Sequence, residues 1–117
     1  MNAYEFVITV LAFSPKYSKV AKNRESFDSR ELYKTIMGCP EEFLKKIGIR
    51  HPIHGDSPAL NEAFYDLSKN ILNQLVRGGN YIWDFSETPR DYFDMHIKPK
   101  LEEGEFSEIE KIVNSID

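Results

Sequence analysis

Helix start and stop signals recur along the whole chain, and they constrain its fold more than any other feature of the sequence. Asn2 with Glu5 three residues later matches the spacing of a capping box, in which each residue's side chain reaches the other's backbone N–H. Ser14-Pro15 reads as a cap followed by proline at the first helical position, where its missing N–H costs nothing. Asp28 with Glu31 repeats the capping spacing ahead of a stripe of Leu32, Tyr33, Ile36 and Met37. Gly38 is expected to end that helix in the left-handed conformation that glycine adopts at low cost. Pro40 opens a short helix with Phe43, Leu44 and Ile47 on one side, and Gly48 closes it. Ser57-Pro58 starts the best-defined helix, 58–77, in which Leu60, Ala63, Phe64, Leu67, Ile71 and Leu75 recur at steps of three and four until Gly78-Gly79 stops it. Thr88-Pro89 starts the next, with Tyr92, Phe93, His96 and Ile97 on one face. Pro99 should kink or end it, because the proline ring clashes with the carbonyl of Met95. Ser107 with Glu110 predicts a final capped helix carrying Ile109, Ile112, Val113 and Ile116.

Two segments have strand character. Val7-Ile8-Thr9-Val10 is β-branched, and Tyr81-Ile82-Trp83-Asp84-Phe85 alternates aromatic residues with others. Two strands alone are marginal unless they pack on something else. Glu5 and Thr9, four apart, suit the solvent side of a helix. The expected fold is therefore all-α, a compact multi-helix domain spanning residues 1–117. The alternative is an α+β domain with a small two- or three-stranded sheet built from these two segments. The connection most open to irregular structure is Ile49 to Asp56, rich in His, Pro and Gly.

Charge is distributed unevenly. Residues 1–55 hold nine Lys/Arg against six Asp/Glu, whereas residues 84–117 hold four against ten. An acidic C-terminal third repels phosphate, so that surface is a poor nucleic-acid binder and suits a basic partner instead. The plainer reading of any one of these acids is a solvated helix surface. No run approaches the roughly 20 apolar residues of a membrane span. The apolar stretch Tyr4 to Phe13 lacks the basic leader of a signal peptide and reads as core. Cys39 is the only cysteine, which points to a reducing compartment and reads as a small buried or half-buried apolar residue. A cytoplasmic protein is expected, with neither a membrane nor a nucleic acid as partner.

Candidate chemistry is sparse. In Arg50-His51-Pro52-Ile53-His54-Gly55-Asp56, two imidazoles and a carboxylate have the types needed for a zinc site or for a base and its orienter. Pro52 and Gly55 argue for a loop, and no Cys/His pair elsewhere completes a tetrahedral set, so a surface role is preferred. His96, beside Tyr92 and Phe93, reads as a core-edge histidine. Gly78-Gly79-Asn80 reads as a helix stop rather than a phosphate loop, and no Walker pattern, dinucleotide fingerprint, HExxH or nucleophile elbow is present. The expectation is a protein that is not an enzyme and needs no metal or cofactor. Two alternatives compete with a binding protein. One is a small metal- or His-dependent hydrolase centred on residues 51–56. The other is a helical nucleic-acid-binding regulator using Lys16, Lys19, Lys22 and Arg24.

The run Tyr81-Ile82-Trp83-Asp84-Phe85-Ser86-Glu87-Thr88-Pro89-Arg90-Asp91-Tyr92-Phe93-Asp94 mixes large aromatics with carboxylates. Aromatic anchors ringed by acids fit a basic protein surface. Against this, Trp83 and Phe85 are preferred as core, and acids near a helix N-terminus are stabilised there without any partner. In overall character (small, acidic, helical, free of catalytic motifs) and in this run and the long helix before it, the chain resembles the immunity proteins of bacterial contact-dependent growth-inhibition systems. The resemblance implies a protein that binds one cognate toxin domain, often a nuclease, and blocks its active site inside the cell that makes both. The acidic third would then stand in for the phosphates such a toxin holds. The resemblance transfers no contact residue. Asp84, Glu87, Asp91, Asp94, Glu102, Glu103 and Glu105 are nominated on charge and spacing alone.

Overall fold

The capping box at the N-terminus forms: Glu5 N–H donates to Asn2 Oδ1 at 2.8 Å, and Asn2 N–H donates to Glu5 Oε1 at 3.1 Å. It starts α1, Ala3–Phe13. This is a computed structural model that describes residues 1–23, 25, 27–50, 57–70, 80–81 and 88–116. Val7-Ile8-Thr9-Val10 is therefore helical, and its strand character is overridden. Every residue from Glu5 to Leu11 is buried. A helix that is apolar nearly all round belongs inside a core, and there its tertiary contacts outweigh the small helix penalty of β-branched side chains. α1 packs against α2 (Pro15–Lys22), α5 (Pro58–Asn70), the helix starting at Pro89, and α7 (Glu105–Asn114).

The expectation that Glu5 and Thr9 face solvent is corrected. Glu5 is 8% exposed and Thr9 is 0% exposed. Both polar groups are satisfied internally, which is what allows their burial. The Thr9 hydroxyl donates to the Glu5 carbonyl oxygen at 2.8 Å. The Glu5 carboxylate serves the capping box and also forms an ion pair with Lys100, which comes from the far end of the chain.

The remaining elements follow the start signals closely. Ser14 Oγ accepts from Tyr17 N–H at 3.2 Å and caps α2. Asp28 Oδ1 accepts from Arg30 N–H at 2.9 Å and caps α3, Ser29–Met37. That backbone hydrogen bond, made to the charged carboxylate, holds the Asp28 carboxyl below its ordinary pKa. α4 spans Glu41–Lys46 after Pro40. Gly48, at φ 86°, then turns the chain in the left-handed region. α5 begins after Ser57 as expected, and it is described to Asn70. The rest of the predicted 58–77 helix and its Gly78-Gly79 stop lie outside the described residues.

Two two-residue strands pair antiparallel: β1 (Phe27–Asp28) with β2 (Asn80–Tyr81), with Phe27 opposite Tyr81. Tyr81 thus enters a bridge, but its partner is Phe27 and not the Val7–Val10 run. The architecture is an all-α multi-helix fold with this short ribbon at its side. Phe6, Leu11, Leu32, Ile36, Leu44, Leu60, Phe93 and Val113 all belong to one buried apolar cluster.

The C-terminal part departs from a plain helix where proline requires it. Thr88 Oγ1 accepts from Asp91 N–H at 3.1 Å and caps α6, Pro89–Tyr92. The helix then widens into a π turn over Phe93–Ile97 and narrows to a 3₁₀ turn over Lys98–Lys100. Pro99 has no N–H to offer the preceding turn, so the ladder changes pitch and stops one residue later. Two expectations about helix boundaries are corrected. Gly38 closes α3 at φ −81°, an ordinary right-handed value. α7 starts at Glu105, not after Ser107, because Gly104 at φ 87° supplies the turn into it.

These glycine assignments can be checked by substitution. Gly104→Ala meets no atom within 4 Å of the added Cβ, so its cost is the backbone strain alone. It should lower stability by about 1–2 kcal/mol in urea unfolding. Gly38→Ala should change stability by less than about 0.5 kcal/mol.

Candidate functional site

The nominated acids divide by position in the fold. Asp84 and Glu87 lie outside the described residues. Asp91 and Asp94 sit on the exposed side of the α6–π segment, whose other side buries Pro89, Phe93 and Ile97 at steps of four. Glu102 and Glu103 are exposed in the turn before α7, and Glu105 opens that helix. Their charges are not equally available. Arg90 Nε donates to Asp94 Oδ2 at 3.4 Å, an i,i+4 pair on one helix. Glu105 lies 3.9 Å from the N-terminal ammonium of Met1 and also accepts from Glu102 N–H at 3.3 Å. Glu108, further along α7, pairs with Lys46 at 3.7 Å. Among the described residues Asp91, Glu102, Glu103 and Glu110 have no cation at ion-pair distance.

The structure brings Glu102 and Glu105 into direct contact and keeps Asp91 and Asp94 on adjacent positions of one helix. It also adds a residue that charge alone could not nominate. Met95 is 62% exposed, and in the chain it lies next to Asp94 and four residues after Asp91. Its outward direction was legible in the sequence, since it falls between the stripe residues Tyr92–Phe93 and His96–Ile97. His96 itself is exposed, with its ring 4.6 Å from the Tyr92 ring. The expected core-edge histidine is thus a surface residue laid against a half-buried tyrosine.

Beneath this surface three rings lock the segment to the core. Phe13 meets Phe93 edge-on at 4.8 Å and Phe106 at 5.5 Å, and Phe93 lies 5.3 Å from Phe106. The Arg90 guanidinium covers the outer face of Phe13, with Cζ 4.3 Å from the ring centroid. This cation–π contact and the Asp94 pair hold Arg90 from two sides. The acidic segment is therefore presented on a rigid base.

His51, His54 and Asp56 lie outside the described residues, as does Arg24. Among the described residues no group of three or more His, Cys, Asp or Glu gathers to hold a metal. No helix among them is long and apolar enough to cross a membrane. Lys16 forms an ion pair with Glu31 of α3, a contact that raises its pKa, whereas Lys19 and Lys22 flank a pocket between α1, α2 and α6. Cys39 is buried, with Sγ 3.8 Å from the Thr35 carbonyl oxygen, and burial pushes its thiol up to about 11.

No protein-family model, no curated protein and no solved structure matches the chain.

A thiol with so high a pKa is almost wholly protonated at pH 8 and shielded from reagent as well. Ellman's reagent should label Cys39 at least about tenfold more slowly in the native protein than in urea. The native rate should climb as pH rises toward the raised value. Equal native and denatured rates at pH 8 would show the thiol to be open.

Proposed function

We propose that this protein is an immunity protein that binds and neutralises a cognate bacterial toxin domain, a basic nuclease domain being the expected kind, inside the cytoplasm of the cell that makes both. One observation carries the reading. The exposed Met95 stands beside Asp91 and Asp94 on a segment clamped to the core by the Phe13–Phe93–Phe106 cluster. Apolar anchors that bind protein partners are most effective when already rigid, because little side-chain and loop freedom remains to be lost on docking. Surrounding carboxylates steer a basic partner and select against acidic ones.

The division of charge assigns separate roles to the acids. Asp91, Glu102 and Glu103, free of ion pairs among the described residues, supply long-range attraction. Asp94 and Glu105 are engaged by Arg90 and the N-terminal ammonium, so they chiefly hold the surface in place. A toxin whose active site grips phosphate would meet fixed carboxylates there instead, and the inhibitor would need no chemistry of its own.

The test is co-expression of the protein with the product of the adjacent gene, followed by binding kinetics on the purified pair. The neighbour should be toxic alone, and it should be bound and inhibited by this protein. Asp91→Lys with Glu103→Lys should slow association at least about tenfold at low salt, with a smaller effect at high salt. Met95→Ala should leave the association rate nearly unchanged and speed dissociation by about tenfold or more. A neighbour that is harmless, or is toxic yet neither bound nor inhibited, would refute the proposal.

A further inference from the structure

The end of α1, one face of α2 and the start of α6 line an open pocket of about 340 Å³. Its floor is apolar, built by Leu11, Ala21 and Pro89, all of them buried side chains. Its rim carries three cations, Lys19 and Lys22 from α2 and Arg90 from α6. The volume lies near the lower end of the range for small-molecule sites, which is roughly 300–1,000 Å³.

The cations are not equivalent. Arg90 pairs with Asp94 and lies over the Phe13 ring, so its charge is already partly balanced. Lys16, one turn earlier on α2, is occupied by Glu31. Lys19 and Lys22 have no carboxylate at ion-pair distance among the described residues, and none of the described lining residues is acidic. Lys19 and Lys22 are like charges beside an apolar floor, and an anion placed between them would relieve their repulsion while its apolar part covers the floor.

We propose that this pocket binds a small amphipathic anion: an apolar body seated on Leu11, Ala21 and Pro89, with an acidic head held by Lys19 and Lys22. The inference is independent of the toxin-binding reading, which concerns the acidic side of the α6–π segment. A ligand here would tie α2 and α6 to α1 and stabilise the folded state by mass action.

Octanoate is a suitable probe, with octanamide as the same body without charge and acetate as the charge without the body. Calorimetric titration should show saturable octanoate binding, at least about tenfold tighter than octanamide, and no saturable binding of acetate. The melting temperature should rise with octanoate concentration. Lys19→Glu with Lys22→Glu changes only exposed positions, and it should weaken octanoate at least about tenfold while leaving the circular dichroism spectrum unchanged. Ala21→Leu, which intrudes on the floor, should weaken octanoate and octanamide alike. Absence of octanoate binding would overturn the proposal. So would equal affinity for octanoate and octanamide, or full affinity in the double lysine variant. Binding of a single-stranded oligonucleotide that needs Lys19 and Lys22, in a protein that ignores octanoate, would assign the lysines to phosphate backbones instead and would equally overturn it.

Discussion

Burying α1 on all sides requires that the polar atoms it carries be satisfied within the protein, and the rest of the structure depends on how this is done. The Asn2–Glu5 box supplies the first N–H partners, and Thr9 returns its hydroxyl to the Glu5 carbonyl oxygen. The Glu5 charge needs something more, because a carboxylate that is nearly buried is costly without a counter-charge. Lys100 provides it from the 3₁₀ turn that follows Pro99. In return, the Glu5 hydrogen bond raises the Lys100 pKa. One ion pair thereby ties the start of the chain to the segment that carries the candidate interface.

The same segment is held at its other end by aromatic contacts. Phe13 closes α1, Phe93 opens the π turn, and Phe106 lies in the first turn of α7, so their cluster joins three elements. Arg90 seals that cluster and divides the surface around it. Toward the π turn lie Asp94, Asp91 and the exposed Met95. Toward α2 lie Lys19, Lys22 and the pocket. Two surfaces of opposite sign thus meet at one guanidinium. The overall net charge of −4 gives no hint of such a division, which arises from where helices place their side chains.

Helix beginnings were the most legible part of the fold. Asn2, Ser14, Asp28 and Thr88 all accept the backbone N–H expected of a cap, since that bond spans only two or three residues. Two other boundaries were less legible. Gly38 stops α3 without leaving the right-handed region, and Ser107 does not start α7 because Gly104 does so earlier. A capping spacing states that a bond can form there. It does not exclude a competing start a few residues upstream. The exposure of Met95 was readable from the helical stripe, but an exposed position acquires meaning only beside its neighbours.

The sequence by itself determined that the chain would be helical, where most of its helices begin, and that positive and negative charge would segregate along it. These properties rest on interactions between residues three or four apart, or on composition alone. Only the tertiary structure decided that the β-branched run of α1 is the buried centre, that Glu5 belongs to Lys100, that Glu105 and Glu108 are engaged by Met1 and Lys46, and that Lys19 and Lys22 share a pocket with Arg90. Those outcomes depend on which distant segments pack together, and packing is set by the filling of a common core, which no local pattern specifies.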